Sequence, residues 1–384
     1  MNRPVISSSV LDTRMPRVDE LTGMRWWAAF FVFTYHMLVL APLPAIAAAV
    51  LEYGYVGVTF FFVLSGFVLT WSLSARVTQS TFYWRRFARI YPSHLVALLL
   101  AIPVFTSLAP SPDQWWVHPF SLPVLALSFV LLQGWFRDPL ILFSGNPAAW
   151  TLSCEMFFYA LHPYVSRLLA PLRTRGALMA TLAVVGIAFG YRATAVAWPD
   201  SWWAAGMPWP VMRLTEFVIG MGLAWAFRCG WRPRLPAWVG VGAAIGSVLG
   251  VAAMPHLVPG SWLSAVTGSF SNEIIIVGCA LAIVSLAARR LSGRPSPLAA
   301  RPLVVLGEWS YAFYLVHATV IYLCLEIFGA QRASWTNLLW YAGVFVLALA
   351  CAAGLHYLVE RPAEKRLRAW KDQRDAARAV PDPA

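Results

Sequence analysis

Four stretches of this chain place a chemically active side chain among apolar neighbours. Arg25 opens an apolar run and His36 lies inside it, eleven positions later. At about 100° per residue this is close to three turns, so both side chains project from one helix face, ~16 Å apart along the axis. A histidine has an unperturbed pKa near neutrality and can take a proton from a hydroxyl. It can equally be a packing residue hydrogen-bonded to a neighbouring helix, and the residues alone leave both readings open. In Trp84–Pro92, sequence WRRFARIYP, Arg85, Arg86 and Arg89 gather on a short stretch. If it is helical, Arg86 and Arg89 share a face one turn apart. Guanidinium groups suit bidentate contacts to phosphate, although an ordinary basic loop has the same composition.

The third stretch, WTLSCEMFFY (150–159), holds Glu155 in an apolar run beside Ser153. A carboxylate there must pair, protonate or face a cavity. It can orient an acceptor hydroxyl, raise the basicity of a histidine, or anchor two helices. The fourth, SYAFYLVH, ends at His317, which with Tyr311 and Tyr314 forms a polar wall. Glu360-Arg361, at the end of the last apolar run, reads as a surface pair without chemistry.

The elements that must hold these residues follow from composition. Of the 384 residues 59% are hydrophobic and 12% charged, and the mean hydropathy is +0.64. Soluble domains carry roughly 25% charged residues. Apolar runs near the ~20 residues that cross a bilayer recur along the whole chain. They fall near 26–43, 54–74, 93–108, 121–136, 150–169, 176–197, 209–227, 236–253, 270–288, 303–327 and 337–359. The expected fold is an all-α integral membrane protein with a polar segment 1–24, a membrane unit 25–360 and a basic tail 361–384. The five cysteines show no paired spacing and read as small apolar residues, not as a disulfide or metal site.

The net charge of +12 sits in short loops between apolar runs, which orients a membrane protein and is no nucleic-acid signature. Arg3, Arg14, Arg17 and Arg25 precede the first run, and Arg76, Arg85, Arg86 and Arg89 follow the second. Later basic clusters are Arg167/Arg173/Arg175, Arg228/Arg232/Arg234, Arg289/Arg290/Arg294/Arg301 and the tail. All of them face the cytoplasm only if one segment between residues 109 and 166 does not cross. The short, Pro-preceded 121–136 is the weakest candidate, expected to be re-entrant or to cross only halfway. The result is a bundle of about ten crossings plus one short helix in the cell membrane, with both termini cytoplasmic. Trp198, Trp202, Trp203 and Trp209 read as an interfacial belt.

Taken together, the blocks resemble the membrane acyltransferase-3 family of bacterial O-acyltransferases. The resemblance starts at LTGMRWWAAFFVFTYH (21–36), with arginine, ten residues and histidine. It runs in the family's order through GVTFFFVLSGFVLT (57–70), RRFARIYP (85–92), WTLSCEMFFY (150–159) and SYAFYLVH (310–317) to ERP (360–362). It implies a ten- or eleven-helix bundle, His36 as catalytic base with Glu155 in a functional role, and Arg25, Arg86 and Arg89 at the donor site, joined by Arg85 from the same cluster. Ser153, Tyr311, Tyr314 and His317 are the expected acceptor pocket or its support.

It also implies acyl-CoA, acetyl-CoA or another short one, as co-substrate and no bound cofactor. The expected acceptor is a hydroxyl on a glycan, a glycolipid or a secondary metabolite such as a macrolide. Trp26-Trp27 and Cys154 depart from the usual pattern and bear on the acceptor pocket, not on the chemistry. A transporter or flippase using the same intramembrane polar groups is the rival; such proteins often carry internal repeats, and none is visible.

Overall fold

The computed structural model describes residues 15–379, so the expectations attached to Arg3, Arg14 and the last five residues of the tail lie outside the described residues. The protein is 79% helical. Among the described residues the strands are limited to one parallel pair of two residues each, Thr106–Ser107 with His118–Pro119. The long elements are α1 (Asp19–Leu40), α2 (Gly57–Trp71), α3 (Gln79–Phe105), α4 (Leu122–Phe129), α5 (Trp150–Leu169) and α6 (Thr174–Ala197). They continue with α7 (Leu214–Arg228), α8 (Ala237–Leu257), α9 (Ser271–Leu291), α10 (Arg301–Phe328), α11 (Leu338–Leu355) and α12 (Arg361–Ala379).

Seven stretches are long and apolar enough to cross a membrane: α2 with the turns before it, α3, α6, α8, α9, α10, and α11 with its continuation. The helices α1, α5 and α7 pack among them, and their buried faces supply much of the core, including Phe33, Met37, Phe158, Phe217 and Trp225.

The ends of the bundle can be told apart by their contacts. At one end, Trp71 closing α2 donates to the Pro16 carbonyl at 2.8 Å. Arg17 beside α1 pairs with Glu308 of α10 at 2.7 Å, and Arg290 closing α9 pairs with Asp19 of α1 at 3.4 Å. The end of α5 joins the start of α3 there through Arg167 and Gln79, 3.3 Å apart. At the far end the chain after α10 folds over α1, Gln331 N–H donating to the Leu40 carbonyl at 2.8 Å. The start of α1 and the junction between α11 and α12 both lie towards the first end, the latter through the pairing of Glu360 with Arg89 of α3.

Two expectations change. The cluster 84–92 is not a loop, because α3 starts at Gln79, capped by the Thr78 hydroxyl, and runs through Pro92 to Phe105. The arginines are therefore carried on the helix that enters the bundle. The segment 121–136 contains the eight-residue α4, about 12 Å long at 1.5 Å per residue against ~30 Å of hydrocarbon, and one helical turn at Gln133–Trp135. The irregular chain after α4 has Leu131 at φ 59°, and protein meets some of its polar groups, while both side-chain amide atoms of buried Gln133 lack a hydrogen-bond partner among the described residues. Asn146 donates to the Leu315 carbonyl at 2.9 Å, and the hydroxyls of Ser128 and Ser144 are 2.6 Å apart.

Close helix pairs position the functional residues. Glycine permits the closest crossings, since a Cβ on Gly307 of α10 would lie 1.9 Å from the Thr22 carbonyl oxygen of α1. The same is true of Gly66 in α2 against the Phe217 carbonyl and Gly220 in α7 against that of Val63, each at 1.9 Å. The α1–α10 contact sets Arg25 near Tyr311 at one level and His36 against His317 at another.

Candidate active site

A cavity of about 150 Å³ lies between α1, α2, α3, α5 and α10. Its polar wall is Arg25, Arg86, Arg89, Glu155, Tyr159 and Tyr311, and its apolar wall includes Val58, Phe61, Phe62 and Leu152. A wider vestibule of about 1150 Å³ at the end where Trp71 meets Pro16 shares Arg25, Leu64, Val68 and Arg89 with it, so the two are continuous.

The three arginines differ in their partners. Arg89 pairs with Glu360 and with Glu364 at 3.1 Å, and lies over the Tyr311 ring at 5.7 Å. Among the described residues, no carboxylate lies within ion-pair distance of Arg25 or Arg86, and the Arg86 Nε is buried without a hydrogen-bond partner. Glu155 accepts from the Tyr159 hydroxyl at 2.8 Å, and Tyr159 also lies 3.4 Å from Ser65. Two guanidinium groups in an apolar-walled cavity, without a carboxylate against them, make a seat for an anion or for the developing negative charge of a reacting carbonyl.

The histidines form a second centre beyond this cavity. His36 and His317 have ring centroids 5.0 Å apart, with His317 Nε2 3.4 Å from His36 Nδ1. His317 Nδ1 is 2.7 Å from the Tyr314 carbonyl, which only accepts, so Nδ1 carries the proton and Nε2 the lone pair. His36 Nδ1 is 3.0 Å from the Val32 carbonyl, so it also carries its proton on Nδ1. The His36 Nε2 lone pair is left to accept a proton. Tyr314 bridges the two centres: it lines the cavity, accepts from the Thr151 hydroxyl at 3.1 Å, donates to the Ala148 carbonyl at 3.3 Å, and packs against the His317 ring at 5.6 Å.

The sequence-predicted residues thus divide. Arg25, Arg86, Arg89, Glu155, Tyr311 and Tyr314 come together in one cavity, while His36 and His317 pair outside its lining. Arg85 points elsewhere and pairs with Asp372 at 3.3 Å. Ser153 is buried and accepts from the Gly134 N–H at 3.2 Å, so it braces the irregular segment and is not in the cavity wall. Trp198 and Trp202 are exposed as a belt would require, but Trp209 packs on Trp150 at 5.1 Å with Arg137 over its ring.

The profile of the acyltransferase-domain family matches residues 18–357. The chain belongs to that acyltransferase family. Over 97% of each sequence it is 34% identical to "Acyltransferase MdmB" of Streptomyces mycarofaciens. It is 26% identical to the "Putative membrane-bound transacylase BcsY" of Komagataeibacter xylinus, over 92% of this chain and 86% of that protein. A third relative, the "Putative acetyltransferase ORF330" of Acidianus two-tailed virus, is 29% identical over 40% of this chain and 41% of its own. No solved structure gives a significant match.

Two residues in or behind this acyltransferase's cavity, Tyr159 in its wall and Glu360 behind Arg89, escaped the sequence reading. Tyr159 sits four positions after Glu155, so helical spacing alone could have paired them. Glu360 gave no such signal. It pairs not with Arg361 but with Arg89, because one π-helical turn, His356–Glu360, turns it inward.

Proposed function

We propose that this protein is a multi-pass enzyme of the cell membrane, with ten crossings and both termini cytoplasmic, that transfers a short acyl group from acyl-CoA to an acceptor hydroxyl. The observation that carries the reading is the pair of partnerless guanidinium groups, Arg25 and Arg86, in a cavity continuous with a wide vestibule. An elongated anionic thioester fits that shape, with its nucleotide end in the vestibule and its pantetheine arm running inward. A cavity of this size holds only a small group, since one of about 150 Å³ accommodates benzene. A relative's name specifies acetyl transfer, which agrees with a two-carbon group.

In this mechanism the His36 Nε2 takes the proton of the acceptor hydroxyl while the oxygen attacks the thioester carbon. The resulting charge on the carbonyl oxygen is met by the arginine seat or by hydroxyls such as Tyr314. When the carbon–sulfur bond breaks, the coenzyme thiolate leaves and takes the proton from His36. His317 acts through His36: its Nε2 and the Val32 carbonyl both face His36 Nδ1–H and stabilise the imidazolium. This is general-base catalysis with an orienting second group. The acceptor is a hydroxyl of a glycan, a glycolipid or a secondary metabolite such as a macrolide.

The test is His36→Gln, which keeps a hydrogen-bonding side chain and removes the base. The variant is expected to fold and to bind acetyl-CoA, and to transfer about 10²–10⁴ times more slowly. Near-normal turnover, followed as coenzyme A release with an acceptor present, would overturn the mechanism.

A further inference from the structure

Arg89 follows Arg86 by one turn of α3, yet its guanidinium is committed elsewhere. Its Nη1 donates to Glu360 and to Glu364, and the other Glu360 oxygen lies 3.1 Å from His356 Nδ1. Glu360 is 1% exposed, so this pair is inside the protein, where a charge without its partner is costly. The π-helical turn at His356–Glu360 shifts the phase of the last membrane helix by one residue and brings Glu360 to Arg89 of α3, with His356 behind it against Trp309.

The helix that follows is fastened to the same stretch of α3. Trp84 donates to the Leu367 carbonyl at 2.7 Å and packs on Trp370 at 4.8 Å, and the Thr81 hydroxyl donates to Asp375 at 2.8 Å. Arg89 is thus the cavity arginine that ties α3 to the chain's end, whereas Arg25 and Arg86 have no such tie.

We infer that Glu360 is a positioning residue for the acyl donor: by holding Arg89 against α12 it keeps that guanidinium out of the anion seat, which Arg25 and Arg86 form. The inference rests on the donor reading above. Without the Glu360 carboxylate, Arg89 keeps only Glu364, at 3.1 Å and already shared with Arg368, and stands beside a cavity whose lining carboxylate among the described residues is Glu155 and whose other cations are Arg25 and Arg86. Turning towards Glu155, it fills the space the thioester must enter.

The experiment uses the full-length protein in nanodiscs, with acetyl-CoA binding by calorimetry, initial rates against donor and acceptor, and the thermal midpoint of each variant. Glu360→Gln is expected to raise the donor KM about tenfold, with kcat and the acceptor KM within about threefold of the parent. Glu360→Asp, which keeps the charge, should recover most of the loss. Decisive is the double variant Arg89→Gln/Glu360→Gln, which removes both charges as a unit and leaves no unpaired ion to hinder folding. Its donor KM should return to within about threefold of the parent, whereas Arg86→Gln stays weak with or without the Glu360 change. A double variant as weak for donor as Arg86→Gln would mean that Arg89 meets the donor itself, and an unaltered donor KM in Glu360→Gln would equally overturn the inference. A parent protein that fails to bind acetyl-CoA would instead overturn the donor reading on which the inference stands.

Discussion

Two buried clusters in this bundle are built from the same side chains and end up with opposite characters. In one, where α7 and α9 begin and α2 passes, Arg213 donates to Asn272 at 2.8 Å and to Thr59 at 3.0 Å, and pairs with Glu216 at 2.9 Å. Asn272 closes the circuit by donating to Glu216 at 3.0 Å. In the other, Glu155 is bonded to Tyr159, while Arg25 and Arg86 face a cavity with no carboxylate in ion-pair reach. In the first circuit each charge has an opposite charge against it, even though the Arg213 Nε and one Glu216 oxygen are buried without a hydrogen bond, and the pairing holds helices together; in the second, two cations without a carboxylate against them keep charge for something that arrives. An arginine and a glutamate inside a membrane bundle are therefore not in themselves a functional site. Which of them lack partners is the distinguishing fact.

The sharpest way to break this contrast is to remove one member of each cluster. Arg213→Ala strands Glu216 in the interior and is expected to cost about 3–5 kcal/mol of stability, read as a large fall in thermal midpoint. If that variant is as stable as its parent, the closed circuit is not structural. Arg86→Gln should behave oppositely, with the thermal midpoint nearly kept and donor affinity weaker by about 1.5–3 kcal/mol, the range for hydrogen bonds to charged groups. Equal acetyl-CoA affinity in parent and variant would remove the anion seat. The smallest effect is expected at Ser153, which braces the irregular segment at Gly134. Ser153→Ala should lower stability by about 0.5–1.5 kcal/mol and leave the acceptor KM alone. A shift in acceptor KM at unchanged stability would put Ser153 back into the pocket.

Much of the fold could be read from the chain, for a simple physical reason. Lipid forces nearly every backbone polar group in a crossing segment into a helix, so apolar length marks the elements. The expected runs 150–169 and 176–197 match α5 and α6 closely. The basic loops also singled out 121–136, where the structure has only the short α4 and one turn at Gln133–Trp135. The start of α3 was misjudged because hydropathy begins where the arginines end, whereas the helix begins earlier, at the Thr78 cap. Of the residues singled out in the sequence, Arg25, Arg86, Arg89, Glu155, Tyr311 and Tyr314 line one cavity, since an ionisable or hydroxyl-bearing group in an apolar run must face protein or water.

What the sequence determined by itself was the set of groups present at membrane depth and the helices that carry them. Local spacing decides which residues share one helix face, and nothing in that depends on distant chain. Only the tertiary structure decided how those groups were partnered. Arg86 and Arg89 look equivalent along α3, yet Glu360, 271 positions beyond Arg89, takes one and leaves the other free. His36 and Arg25 share a face of α1, yet their depth separates them into a histidine pair with His317 and an arginine cavity with Glu155. Pairing between helices depends on crossing points set by glycines such as Gly307 and on one π-helical turn, and neither leaves a periodic trace in the sequence.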